Sequence, residues 1–170
     1  MKDKYKHLLN FTANIISLAV EACMFGWVWY MLYVPMLDKA NTFFNRGNWA
    51  VIGMYVLFVF FFTKIFGGYR IGYMRISDII LSQILAVILA MIVAYFEICL
   101  VANDYLPPQP LLLMTVTEII FIVPWVVLVR KAYTRLYPPR QMLVIYGNYS
   151  PDDLIAKINT RKDKYNICAA

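Results

Sequence analysis

Four long apolar segments, separated by short polar stretches, dominate the pattern of this sequence. They cover residues 11–34, 49–66, 79–102 and 109–129. Each has about the 20 mostly apolar residues that a helix needs to cross the hydrocarbon core of a bilayer. Pro35, Pro107 and Pro108 fall where segments end, because proline cannot continue a helix. The pattern predicts an all-α membrane protein with four transmembrane helices.

The character of the chain changes after Pro138 and Pro139. Residues 141–146 form a short apolar run that predicts a buried strand, and residues 165–168 predict a second one. Between them, Ser150 and Pro151 provide an N-cap and a first helical position. This strand–helix–strand pattern is the start of an α/β domain. Because about 30 residues cannot bury both faces of a parallel strand pair, we expect this α/β domain to be incomplete.

The expected domain boundary therefore separates a membrane domain at 1–137 from the start of an α/β domain at 138–170. Composition supports the first part. Of the 170 residues, 62% are hydrophobic and 15% charged, with a mean hydropathy of +0.62. Soluble domains are about 45–50% apolar and about 25% charged. The composition excludes a water-soluble globule.

Positive residues give the expected orientation. If the N-terminus is cytoplasmic, the outer loops hold only Lys39 and Arg46, which leaves fourteen of the sixteen Lys and Arg residues on the cytoplasmic side. We therefore expect a multi-pass protein with both termini in the cytoplasm. The charges edge apolar segments instead of covering a soluble face, so the net charge of +6 indicates no nucleic-acid partner. Aromatic residues near the end of the first segment predict an interfacial belt: Trp27, Trp29, Tyr30 and Tyr33.

Three glutamates, Glu21, Glu97 and Glu118, interrupt the apolar segments. Ionisable residues within a bilayer are costly and mark a function or a partner. Two interpretations stay open: a path for protons or cations, or protonated or hydrogen-bonded side chains that fix helix packing. Thr115 and Thr117 are the expected hydrogen-bonding neighbours of Glu118.

Five basic residues are candidates for binding a lipid phosphate. Arg70 and Arg75 belong to a Gly- and Tyr-rich stretch, and Arg130, Lys131 and Arg135 follow the fourth segment. Arginine suits bidentate contact with phosphate, and the two groups together could form one basic collar. The alternative is ordinary positive-inside anchoring with snorkelling side chains. We find no nucleophile set and no metal-ligand spacing, so the sequence predicts no catalytic residue and no metal site.

Three stretches resemble bacterial polyprenyl glycosylphosphotransferases, the membrane sugar transferases that start exopolysaccharide or capsule synthesis. They are residues 46–53, residues 67–78 and the run Arg135-Leu-Tyr-Pro-Pro-Arg-Gln-Met-Leu-Val-Ile-Tyr-Gly147. The resemblance implies the bacterial inner membrane and transfer of sugar-1-phosphate from a nucleotide sugar to undecaprenyl phosphate, assisted by Mg²⁺. It also implies that the strand–helix–strand pattern begins a Rossmann-like domain.

In that family the catalytic carboxylates lie in a further cytoplasmic domain. The resemblance therefore implies that this chain has an anchoring role without catalytic residues or a cofactor of its own. Its expected partners are the bilayer and undecaprenyl phosphate, and a homo-oligomer through the membrane helices is compatible with that role. The competing hypothesis is a self-contained four-helix carrier of polyprenyl-linked sugars, similar to the GtrA family, which the membrane glutamates would favour.

Overall fold

A computed structural model describes residues 3–37, 45–70, 74–136, 140–143, 155 and 165–169. The chain divides into two compact units, residues 1–129 and 130–170. The first unit is a bundle of four long helices: α1 Asp3–Val28, α2 Asn45–Ile65, α3 Ile76–Ala102 and α4 Gln109–Leu136, of which the last turns of α4 belong to the second unit.

The predicted membrane helices are confirmed as four apolar helices of membrane-spanning length. The spans are Leu8–Met36, Gly47–Ile65, Ile76–Ala102 and Gln109–Leu136. They fit a multi-pass membrane protein. All four helices extend beyond the predicted segments. The differences are largest at the start of α1, Asp3 instead of residue 11, and at the end of α4, Leu136 instead of residue 129, whereas α2 and α3 begin four and three residues earlier than predicted. Hydropathy detects only the apolar part of a helix, whereas its hydrogen bonds continue into the polar flank.

The end of α1 is irregular. A π-helical segment, Trp29–Tyr33, and a 3₁₀ turn, Val34–Met36, follow it, and Pro35 lies in that turn. Pro35 has no N–H to donate to the preceding turn, so a regular α-helix cannot continue through it. The predicted aromatic belt is wrong for two of its four members: Trp29 and Tyr33 are buried inside the bundle, and only Trp27 and Tyr30 are exposed. Their burial follows from spacing along the inner face of α1.

The turn between α2 and α3 defines one end of the bundle, called here the basic end. Gly67 has φ +77°, and the N–H of Gly68 donates to the carbonyl of Thr63 at 2.9 Å, which closes α2 in a Schellman-type cap. Gly68 is closely packed, because a Cβ there would lie 2.9 Å from Thr63 Cγ2 and 3.0 Å from Gln83 Cγ. Only glycine lets the turn approach α3 this closely.

The loop between α3 and α4 defines the opposite end. Asn103, with φ +52°, terminates α3 in the left-handed conformation that asparagine tolerates better than most residues. The Tyr95 hydroxyl donates to the carbonyl of Leu106 at 3.1 Å, and the Tyr33 hydroxyl donates to that of Pro107 at 2.9 Å. These bonds attach the loop to α3 and to the end of α1, and they satisfy carbonyls just before the α4 start.

The bundle interior consists of two clusters of buried residues. The larger cluster joins the aromatic residues of α1 and of the π-helical segment to α2, α3 and α4. The smaller cluster packs Ile79 and Val87 of α3 against Ile122 and Val126 of α4. Alanines recur on the buried face of α3 at positions 86, 90 and 94. Small side chains let helix backbones approach closely, which is the usual means of helix association in membranes. The outward faces carry large apolar side chains, as a lipid-facing surface requires.

The second unit contains two short strands, β1 Arg140–Leu143 and β2 Tyr165–Ala169, which pair in parallel. Their register joins Arg140 to Tyr165, and it shifts by one residue between Met142 and Leu143. The helix predicted between the strands lies outside the described residues, apart from Ile155, which is helical. The complete strand–helix–strand unit therefore stays a prediction.

Candidate functional site

Two of the three predicted intramembrane glutamates are buried in the bundle, near enough for their carboxyl groups to interact electrostatically. Glu21 of α1 is 5% exposed and Glu118 of α4 is fully buried, and their carboxyl groups interact electrostatically. Tyr55 of α2 is also fully buried, and its hydroxyl lies 2.8 and 2.9 Å from the two carboxyl oxygens of Glu118. Three helices thus contribute to one buried polar cluster, to which Ser17 adds a hydrogen bond of 3.2 Å to Glu21 Oε1.

The hydrogen-bonding partners predicted for Glu118 are wrong. Thr115 and Thr117 donate their hydroxyl protons to the carbonyls of Leu111 and Leu113, one turn earlier in α4, at 2.9 Å each. This intrahelical bond is the common arrangement for threonine in an apolar helix. Tyr55, whose hydroxyl does bond Glu118, is not among the residues predicted from the sequence. A tyrosine within an apolar run is counted as a hydrophobic residue, and the sequence of the run does not show which face of α2 contacts α4.

Polar side chains connect the cluster to the basic end. Asn10, Asn14, Ser17 and Glu21, called here the α1 polar line, follow one another at intervals of four, three and four residues, which places them on one helix face. The side-chain amides of Asn10 and Asn14 point to the carbonyl of Tyr69 in the α2–α3 turn, at 3.3 and 3.5 Å. From Asn10 to Glu21 the helix rises about 16 Å, roughly half the thickness of a hydrocarbon core.

The α2–α3 turn extends the polar region around Tyr69. Burial raises the pKa of the Tyr69 phenol to about 12, and the carboxyl of Glu21 adds to this shift, whereas a hydrogen bond with Thr63 opposes it. On the other side of the turn, Gln83 of α3 is 4% exposed and its amide nitrogen donates to the carbonyl of Gly68 at 3.3 Å. The turn and α3 therefore surround the same polar region as the α1 polar line.

Aromatic side chains follow the cluster on the side of the opposite end. The ring of Phe25 stacks on that of Tyr55, with centroids 4.2 Å apart and planes at 8°. Trp29 and Tyr33 continue the same face of α1 and are 1% and 0% exposed. The Trp29 indole N–H donates to Asn48 of α2 at 3.1 Å. Beyond Glu21, the interior face of α1 is aromatic instead of polar.

Glu97, the third predicted glutamate, lies apart from the pair. It is partly buried and belongs to the last turns of α3, near the opposite end. Its Oε2 is buried without a hydrogen-bond partner among the described residues. Glu21 and Glu118 therefore form a pair, called here the glutamate pair, that does not include Glu97.

The five basic candidates fall into two groups. Arg70 and Arg75 are exposed at the basic end. The N–H of Met74, next to Arg75, donates to the carbonyl of Arg70 at 3.3 Å, so the backbones of the two arginines lie close together. Arg130, Lys131 and Arg135 belong to the second compact unit. Lys131 and Arg135 are exposed, whereas Arg130 is 5% exposed. The single collar that would join the two groups stays a prediction.

An apolar groove of about 690 Å³ runs along the outside of the bundle between α1 and α4. Among the residues that line it are Ile16, Val20, Trp27, Leu32, Pro110 and Leu113. It extends from the level of the glutamate pair towards the opposite end. A groove of this kind suits a hydrocarbon chain.

Among the described residues, no group of three or more His, Cys, Asp or Glu side chains could hold a metal ion. Phosphoryl transfer relies on metal ions and positioned charges at the phosphates. The described part of the chain thus offers no ready-made cluster of this size for a metal ion.

Comparison of the chain with protein-family models, with curated proteins and with solved structures finds no match in any of the three.

Proposed function

We propose that this chain forms the membrane region of a bacterial enzyme that transfers sugar-1-phosphate from a nucleotide sugar to undecaprenyl phosphate, the first step of exopolysaccharide or capsule synthesis. The observation that carries the proposal is the order of the elements: four apolar helices, then a pair of parallel strands directly after α4. The family that the sequence resembles has the same order. In this proposal the strands begin a Rossmann-like domain, and the catalytic domain with its Mg²⁺ lies outside these 170 residues.

In this proposal the bundle spans the bacterial inner membrane with both termini in the cytoplasm, and its task is to hold the acceptor lipid. Arg70 and Arg75 are exposed at the basic end, and in this proposal their guanidinium groups make bidentate hydrogen bonds to the phosphate of the lipid. The groove between α1 and α4 offers an apolar surface for part of a polyprenyl chain. A lipid with a phosphate head and a long branched chain would use both features.

The test measures binding of undecaprenyl phosphate to the purified full chain in detergent, by native mass spectrometry. Binding of undecaprenol tests the contribution of the polyprenyl chain without the phosphate. Binding of dioleoyl phosphatidate tests a phosphate on ordinary acyl chains. We expect undecaprenyl phosphate to bind best. Replacing Arg70→Gln together with Arg75→Gln should weaken it by about tenfold or more, since hydrogen bonds to charged groups contribute about 1.5–3 kcal/mol.

The double variant Lys131→Gln with Arg135→Gln removes the same charge from the second group of candidates and is compared with the first double variant. Weaker binding in both double variants would support the single basic collar. Weaker binding in the first alone would assign the phosphate to the α2–α3 turn. Equal binding of phosphatidate and undecaprenyl phosphate would reduce the arginines to general anchors and contradict the proposal.

The glutamate pair favours a second candidate function, a carrier of polyprenyl-linked sugars. A buried pair of carboxyl groups in a helix bundle is more typical of a transport protein than of an anchor. A lipid-scrambling assay separates the two functions, because a carrier moves a fluorescent polyprenyl-phosphate sugar across liposomes faster than empty vesicles do. An anchoring region does not.

A further inference from the structure

We propose that Glu21 and Glu118 bind a proton at the centre of the bundle, and that this site exchanges protons with water at the basic end only. The α1 polar line is the path. The proposal goes beyond the transferase function and does not depend on it, since it rests on contacts inside the bundle. It distinguishes the glutamate pair from side chains that only fix helix packing.

The pair needs a compensating positive charge. Both carboxyl groups are almost or fully buried, and in the described part of the chain their interactions are with the hydroxyls of Ser17 and Tyr55 and with each other. None of these partners is cationic. The titratable groups around the pair are Tyr55 of α2 and Tyr69 of the turn, and α3 contributes the neutral amide of Gln83. A proton bound to the pair removes one charge from a region where an uncompensated charge is expensive.

A proton fits this site better than a metal ion. Ser17 and Tyr55 direct their hydroxyl protons at the carboxyl oxygens, and Thr115 uses its proton on the carbonyl of Leu111. The helical carbonyls nearby already accept backbone hydrogen bonds. A hard cation requires a shell of several oxygen ligands, which this arrangement does not offer.

Unpaired acceptors mark the path towards the basic end. The side-chain oxygens of Gln83 and Asn10 are buried and have no hydrogen-bond partner among the described residues. Gln83 as a whole is only 4% exposed. Gln83 contacts the Gly68 turn beside Thr63, and Thr63 bonds Tyr69, whose phenol interacts with Glu21. Buried acceptors of this kind are usually satisfied by water. Water bound to these two oxygens, along the α1 polar line, would conduct protons from the basic end to Glu21.

The other direction is closed. The stacked rings of Phe25 and Tyr55 lie directly beyond the pair, and the Tyr55 hydroxyl is already held by Glu118. Trp29 and Tyr33 fill the next turns of the same helix face. Stacked apolar rings hold no chain of hydrogen-bonding groups, so protons do not pass to the opposite end.

The experiment uses the full chain in lipid and follows the C=O stretching band of protonated carboxyl groups by infrared difference spectroscopy. We expect a band that titrates with pH, is lost in the double variant Glu21→Gln with Glu118→Gln, and persists in Glu97→Gln, the matched control. In oriented liposomes, a pH jump at the basic end should change the band at once. The same jump at the opposite end should not.

A variant that keeps both glutamates tests the path and does not depend on folding of the double variant. Asn14→Leu should slow the response of the infrared band about tenfold, because the path loses one hydrogen-bonding group and the barrier to proton transfer rises. Thr12→Val, at similar depth on the exposed face of α1, should respond like the unmodified protein. An equal response from both ends, an unchanged rate in Asn14→Leu, or loss of the band on adding Na⁺ at constant pH would each overturn the proposal.

Discussion

At the scale of single residues, the interior depends on a few polar contacts whose partners are on different helices. Tyr55 is the clearest, because its hydroxyl is within hydrogen-bond distance of both carboxyl oxygens of Glu118 and its ring stacks on Phe25. One side chain therefore connects α1, α2 and α4. The hydroxyl of Tyr55 can be removed without its ring, so the contribution of the hydrogen bond can be measured apart from that of packing.

Tyr55→Phe keeps the stacked ring and removes only the hydroxyl. We expect the free energy of unfolding to fall by about 1–2 kcal/mol, because a buried carboxyl loses its donor and interhelical hydrogen bonds in membranes reach about that value. Reversible unfolding in mixed micelles measures it. In a double-mutant cycle with Glu118→Gln the two changes should not add. Additive effects would show that Tyr55 and Glu118 are not coupled. As a control, Thr117→Val should change the free energy of unfolding little, because the Thr117 hydroxyl bonds a carbonyl of its own helix.

Gly68→Ala tests the close approach of the α2–α3 turn. The added methyl group would lie 2.9 Å from Thr63 Cγ2 and 3.0 Å from Gln83 Cγ, so we expect a loss of about 1–3 kcal/mol from overpacking. Thr63→Ser removes the nearer methyl group and should recover part of that loss.

Gly53→Ala is the matched control, because nothing lies within 4 Å of a Cβ there. Alanine in the interior of α2 should be neutral or stabilising by about 0.5–1 kcal/mol. A similar loss at both positions, measured by the same unfolding assay, would contradict the packing explanation.

At the scale of helices and strands, hydropathy was sufficient for the number and order of the membrane helices, because each apolar run is long and the polar breaks are clear. It was not sufficient for their ends, as the polar start of α1 shows, or for the faces that meet. The position of Trp29 and Tyr33 near a helix end predicts that they lie at the membrane interface, yet both side chains are buried inside the bundle. The glutamates were found because charge in an apolar run is rare. Their partners could not be found, because they depend on the rotation of each helix against the others.

The orientation predicted from the Lys and Arg distribution can be tested at the ends of α3. In a chain whose three cysteines are replaced by alanine, Ser77→Cys and Asp104→Cys introduce single thiols at exposed positions of the two ends. A membrane-impermeant maleimide should label position 104 in intact cells and position 77 only after the membrane is opened. The reverse result would invert the topology.

At the scale of the whole molecule, the proposed transferase role separates holding the lipid from performing the reaction. We expect the 170-residue chain, incubated with undecaprenyl phosphate, Mg²⁺ and radiolabelled nucleotide sugars, to transfer no label to the lipid. The described residues present no group of three or more acids, His or Cys that could hold a metal, and phosphoryl transfer depends on metal ions and positioned charges. Label in the lipid fraction above a boiled control would place an active site within this chain.

The spacing of buried residues on α1 has a consequence for the direction in which other helices can cross it. Ala13, Ser17, Glu21 and Phe25 are buried at intervals of four residues. An α-helix has 3.6 residues per turn, so each such step turns about 40° around the axis while it advances about 6 Å. The inward-facing residues of α1 thus follow the thread of a screw. A straight neighbouring helix that packed against all four positions would therefore cross α1 at an angle instead of lying parallel to it.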